Sequence, residues 1–152
     1  MDYEGLLKEA YSLNLIVKEA EIYANKGRIK GNRIAIRKDI PTLKEKSCIL
    51  AEELGHYYTS HGDIIDQSAI NNCRQEHRAR LWAYNKQIGL IGIIRAYEHG
   101  CNSLYDMADY LDVTEDFLHD AIIYYRGKYG EYTILDNYII YFEPNLGVFK
   151  PT

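Results

Sequence analysis

Cys48-Ile49-Leu50-Ala51-Glu52-Glu53-Leu54-Gly55-His56-Tyr57-Tyr58-Thr59 is the stretch on which both fold and chemistry turn. No proline interrupts the chain from Thr42 to Ser60. Leu43, Leu50, Leu54 and Tyr57 recur at helical spacing, so a central helix is expected from Pro41 to about Ser60. At about 100° per residue, Glu52 and His56 lie one turn apart and nearly in line, roughly opposite those apolar groups. One face can pack while the other presents donors.

Two donors four residues apart on a helix can reach one metal ion, as in the zinc-protease pattern His-Glu-x-x-His, where the Glu beside the first ligand polarises the attacking water. Here Glu52 stands where that pattern has its first His, and Glu53 keeps the position of the general base. A carboxylate oxygen binds zinc, so Glu52 and His56 remain a ligand pair, although carboxylate ligation also admits manganese or iron. A catalytic site needs a third protein ligand, and Glu76, about twenty residues on, is the first candidate; His77 and His61 are the alternatives. The same Glu-to-His spacing also suits an ordinary helix-stabilising pair. His99 and His119 read as surface or boundary groups.

Working outward, Tyr3, Leu6, Leu7 and Ala10 mark an amphipathic helix from Asp2 to Ser12. Between Leu15 and Lys38, short apolar runs and the alternation Arg33-Ile34-Ala35-Ile36-Arg37 predict a small antiparallel sheet turning at Lys30-Gly31-Asn32. A second long helix is expected from about Arg74 to Ile88, closed by Gly89. Glu76, Ala79 and Ala83 share one side of it, and the small residues would let it approach the metal-bearing helix. Beyond residue 91 the pattern shifts to short helices at Ile93–His99, Ser103–Tyr110 and Thr114–Arg126, and then to a hairpin around Glu143-Pro144-Asn145. These shifts divide the chain into 1–90 and 91–152.

A chain of 152 residues can bury one real core with a small appendage. Its three cysteines are an odd number without Cys-x-x-Cys spacing, which fits a reducing compartment. Met1-Asp2-Tyr3-Glu4 lacks the basic flank and apolar run of a secretory signal, so a cytoplasmic, membrane-free protein is expected. The net charge of -4 argues against nucleic-acid binding through overall charge but leaves room for a local basic patch. The 15 tyrosines fill core and boundary positions or line a protein-gripping surface.

The string from Cys48 to Thr59, followed by Gly62-Asp63 and by Gln75-Glu76-His77-Arg78-Ala79-Arg80-Leu81-Trp82-Ala83, resembles the ImmA/IrrE family of metallopeptidases. Gly27-Arg28-Ile29-Lys30-Gly31-Asn32-Arg33-Ile34-Ala35-Ile36 also looks like the sheet that precedes that family's metal helix. The resemblance covers about residues 1–90. It implies an α+β, zincin-like metallopeptidase core, encoded in or near a prophage or mobile element, that uses zinc to cut a helix-turn-helix repressor. Carried over, Glu53 is the catalytic base and Glu52, His56 and Glu76 are the metal ligands, with Glu52 departing from the usual His. The segment Leu104 to Leu118 looks like a helix-turn-helix, and the final hairpin could be its wing, giving a winged-helix-like module. Asp106, Asp109, Asp112, Glu115, Asp116 and Asp120 would repel phosphate, so that module is expected to bind protein rather than DNA. The rival functions are an inactive anti-repressor that binds a repressor without cutting it, and a DNA-binding regulator.

Overall fold

A computed structural model describes residues 1–60 and 69–151. Among them are six helices and two three-stranded sheets, a mixed α+β architecture divided into units Met1–Lys86 and Gln87–Thr152. The division falls at the last turn of a helix.

The first unit opens with α1 (Tyr3–Ser12), whose N-terminus is capped by the Asp2 side chain accepting from the Gly5 N–H at 2.8 Å. Leu6 and Ala10, one turn apart, are fully buried. Strands β1 (Ile16–Ala20), β2 (Gly27–Lys30) and β3 (Arg33–Arg37) follow, in spatial order β1-β3-β2. A two-residue turn, Gly31-Asn32 with Gly31 at φ 61°, joins β2 to β3 as an antiparallel hairpin. β1, however, pairs parallel with β3, so the sheet is mixed and not antiparallel as expected. The chain reverses between β1 and β2 and again between β2 and β3, so β1 and β3 run the same way, and β3, carrying the buried Ile34 and Ile36, takes the central position between them. β1 must then occupy the other edge. The connecting residues are tied down by Arg37, whose guanidinium donates to the carbonyls of Ile22, Tyr23 and Asn25.

Helix α2 (Leu43–Thr59) starts at Thr42, whose hydroxyl accepts from the Glu45 N–H. It packs against α1, β2 and β3. Leu43, assigned to the apolar face from its spacing, is 66 % exposed, because the covered part of the helix begins only at Ser47. From there the burial is wider than a single stripe and takes in Ile49, Leu50, Ala51, Glu53, Leu54 and Gly55. Helix α3 (Ala69–Gln87) starts earlier than Arg74 and ends at Gln87. His61 and the Gly62-Asp63 pair lie outside the described residues.

Gly55 and Ala79 set the approach of α2 to α3. A Cβ on Gly55 would stand 2.3 Å from the Ala79 carbonyl oxygen, well inside van der Waals contact. Ala79 and Ala83 are fully buried on the facing side of α3. Farther along, Glu9 of α1 receives the Tyr58 hydroxyl of α2 at 3.4 Å and the Lys86 ammonium of α3 at 3.1 Å, while Trp82 stacks on Tyr58 with ring centroids 4.8 Å apart. These contacts tie the three helices at one end.

In the second unit Gly89, at φ 63°, does not simply close α3; it opens α4 (Gly89–His99). α5 (Leu104–Leu111) is capped by Ser103 and ends at Asp112, a left-handed residue at φ 58°. α6 (Glu115–Tyr129) is capped by Thr114. β4 (Tyr132–Leu135), β5 (Tyr138–Tyr141) and β6 (Gly147–Phe149) form an antiparallel sheet, with Phe142 and Tyr125 buried between strands and α6. β4 is an addition to the expected hairpin, and the Asp136-Asn137 turn, with Asp136 at φ 53°, was its sequence signal. Among the described residues no helix is long and apolar enough to cross a membrane.

Gly55→Ala tests the helix crossing. Alanine normally favours a helix interior by about 1 kcal/mol over glycine, but here the methyl meets backbone that cannot swing aside. Urea unfolding is expected to show a loss of about 1–3 kcal/mol; a gain in stability would contradict the close approach.

Candidate metal centre

Because α2 and α3 touch at Gly55 and Ala79, the residues one step on along α2 and one turn back along α3 face each other. They are His56 and Glu76. His56 Nε2 lies 3.0 Å from Glu76 Oε2, and the other carboxylate oxygen of Glu76 is ion-paired with Arg80, Nε standing 3.2 Å away. Arg80 is one helical turn beyond Glu76, so a 76/80 spacing signal was present in the sequence.

Glu53 sits one turn before His56 and is only 8 % exposed. A Cβ added to Gly27, at the start of β2, would stand 2.9 Å from Glu53 Oε1 and 2.6 Å from Ile49 Cγ2. The carboxyl is thus lodged beneath the edge strand, where only glycine leaves it room. Burial raises its pKa from 4.5 to about 7, with the carboxylates of Glu52 and Glu76 pushing in the same direction. A carboxyl so poised can take up and release a proton near neutral pH.

The expected site residues therefore fall into two sets. His56 and Glu76 are in direct contact across two helices. Glu53 lies within electrostatic reach of Glu52 and Glu76. Glu52, the residue before Glu53 on α2, is half-buried. His77, the alternative ligand, is exposed on α3. Among the described residues, no three His, Cys, Asp or Glu side chains form a group arranged to hold a metal ion.

No family model, no curated protein and no solved structure matches this chain. The donor chemistry must therefore be judged on its own. Zinc binds imidazole nitrogen and carboxylate oxygen at about 2.0–2.2 Å, so two such ligands on one tetrahedral ion stand roughly 3.3 Å apart. The 3.0 Å between His56 Nε2 and Glu76 Oε2 fits two adjacent positions of that kind. The pair is of the right type, from two rigid helices, with a buried carboxyl one turn away.

Gly27 and Arg80 are the site residues that sequence reasoning passed over. Arg80 had a spacing signal; Gly27 had none, since its role follows from where β2 crosses α2.

The raised pKa of Glu53 has a measurable consequence for stability. In the unfolded chain the group ionises at about 4.5, in the fold at about 7, so the fold binds one more proton between those values. Stability is fullest below pH 4.5 and falls as pH rises to about 7, by a total of about 3 kcal/mol. Glu53→Gln removes the ionisation. Metal-free protein carrying that change is expected to unfold at higher temperature than the parent at pH 8 and at nearly the same temperature at pH 4; equal differences at both pH values would contradict the buried carboxyl.

Proposed function

We propose that this chain is a metal-dependent endopeptidase, using zinc, whose substrate is another protein. The observation that carries the reading is the buried Glu53 carboxyl, poised near neutral pH, one helical turn from a histidine that meets a glutamate of the neighbouring helix. General acid–base hydrolysis of an amide needs such a proton carrier, held away from bulk water and close to electrophilic assistance.

In this reading His56 and Glu76 would hold the metal, with Glu52 as third ligand from the same helix as His56. The bound ion would supply Lewis acidity toward the scissile carbonyl and the attacking water. Glu53 takes the proton from that water and passes it to the leaving amine. Gly27 and Ile49 wall the carboxyl on the strand side and keep it desolvated. Arg80, ion-paired with the far oxygen of Glu76, holds that carboxylate in the orientation that faces His56. β2 is an edge strand, and its outer side has no partner strand among the described residues. An extended peptide laid along it would pass over Glu53, which suits a protein substrate better than a small compact one.

The resemblance of residues 1–90 to the ImmA/IrrE metallopeptidases supplies the substrate class: a helix-turn-helix repressor of a prophage or mobile element, cut in the cytoplasm. The second unit, winged-helix-like in this reading, would contribute to recognising that protein. Asp109, Glu115, Asp116 and Asp120 are exposed on its helices, which disfavours DNA there. A second reading, a non-cutting anti-repressor on the same frame, is favoured by one feature. Glu76 is already engaged by both His56 and Arg80, and no three-donor group is present among the described residues.

Two measurements separate these. Purified protein is expected to carry close to one zinc per chain by elemental analysis, with His56→Ala losing it. Co-expression with repressors encoded beside the gene should yield a repressor fragment, and Glu53→Gln should reduce its formation by at least about 100-fold while retaining the metal. Unchanged cleavage by the Glu53→Gln protein would overturn the mechanism, and the absence of both metal and cleavage would favour the binding-only reading.

A further inference from the structure

The net charge of -4 averages over two units of opposite character. The second unit holds only Arg95, Arg126, Lys128 and Lys150 against a much larger set of carboxylates, and the first holds the rest of the chain's lysines and arginines. Strand register shows where part of that basic charge goes. Pairing places Lys18 beside Ala35 and Ala35 beside Arg28 in one row, and Ile16 beside Arg33 and Arg33 beside Lys30 in the next. Side chains in such rows project from the same side of the sheet. This is the side away from α2, since Ile34, Ile36 and Glu19 point the other way, Glu19 pairing with Lys46 of α2 at 2.5 Å.

The outer face is therefore cationic without relief. Lys18, Arg28, Lys30 and Arg33 are all exposed, and none has an ion-pair partner among the described residues. Lys30 and Arg33 are direct cross-strand neighbours, an arrangement that costs stability through like-charge repulsion. Nearby cations are treated differently: Lys26 pairs with Glu45, Lys46 with Glu19, and Arg37 holds loop carbonyls. Between the unpaired four runs a shallow groove of about 290 Å³, floored by Ala35 and edged by Ile16.

We propose that this face of the β1-β3-β2 sheet docks the phosphate backbone of duplex nucleic acid. Phosphate contacts need cations and little else, and four unpaired cations around a small-residue groove supply that. An acidic protein partner fits less well. Stable protein interfaces centre on buried apolar and aromatic groups and are depleted in lysine, whereas here the apolar content is Ile16, 42 % exposed, and the two small residues Ala20 and Ala35. A single-strand binder would want aromatic rings to stack bases, and this face has none. The docking is sequence-independent, because no side chain here is shaped to read a base edge. It is also independent of the hydrolytic reading. If both hold, the surface would keep the protein close to a repressor seated on its operator.

The test is fluorescence anisotropy of a labelled DNA duplex titrated with the full chain at several salt concentrations. Binding should weaken with salt at a log–log slope of about -0.9 per phosphate engaged, hence roughly -3 to -4 if all four cations take part. The combined change Lys18→Gln, Arg28→Gln, Lys30→Gln and Arg33→Gln should weaken binding at least 10-fold at low salt and flatten the slope, with the unfolding temperature equal to or above the parent's because the Lys30–Arg33 repulsion is gone. If that variant fails to fold, Lys18→Gln with Arg33→Gln should halve the slope. The proposal is overturned by duplex binding that these changes leave intact, or by no salt-dependent duplex binding. Tighter binding to polyglutamate or to phosphatidylserine vesicles at equal salt would overturn it too. Glu53→Gln serves as the internal control and should bind the duplex as the parent does.

Discussion

The contact between Gly55 and the Ala79 carbonyl is the constraint from which the rest of the site follows. Only a glycine on α2 and a short side chain on α3 let the two helix backbones come so near. At that spacing His56 and Glu76 cannot avoid each other, and their 3.0 Å meeting is a by-product of the crossing. Larger residues at 55 or 79 would move the helices apart by more than a hydrogen bond can follow. The clamp of Glu9, Tyr58 and Lys86 at the other end of the helices limits their freedom to splay.

A second close approach acts on the same helix from the opposite side. β2 passes over α2 at Gly27, leaving Glu53 buried against Ile49 and the strand. Burying a carboxyl is costly, and the fold meets part of that cost by keeping Glu53 protonated at mildly acidic pH. A core position chosen for stability alone would hold an apolar residue. A buried acid beside two further carboxylates and a histidine is a departure from local consistency, and such departures concentrate at working sites.

Much of this was legible in the sequence, and the boundary has physical causes. Helix α2 and the hairpin turn at Gly31-Asn32 were readable because apolar periodicity and turn chemistry are local. The pairing of His56 with the 76 position followed from ligand spacing and from the small face of α3. The insertion of β3 between β1 and β2, which makes a parallel pair, was not readable, since strand order depends on which strand is most deeply covered. Leu43 misled because spacing reports a helix face and says nothing of where along the helix cover begins. The cationic face shows the same limit. Each of Lys18, Arg28, Lys30 and Arg33 is an unremarkable charge in its own strand, and only the register assembles them on one side. Net charge hid the result by summing it with an acidic second unit.

The buried, proton-carrying Glu53 is the claim on which the functional account stands, and its titration can be followed directly. Carbon NMR of the chain labelled at glutamate side-chain carboxyls, without added metal, should show one resonance with a midpoint about 7, missing from the Glu53→Gln spectrum. A set of glutamates that all titrate in the ordinary range near 4.5 would contradict it.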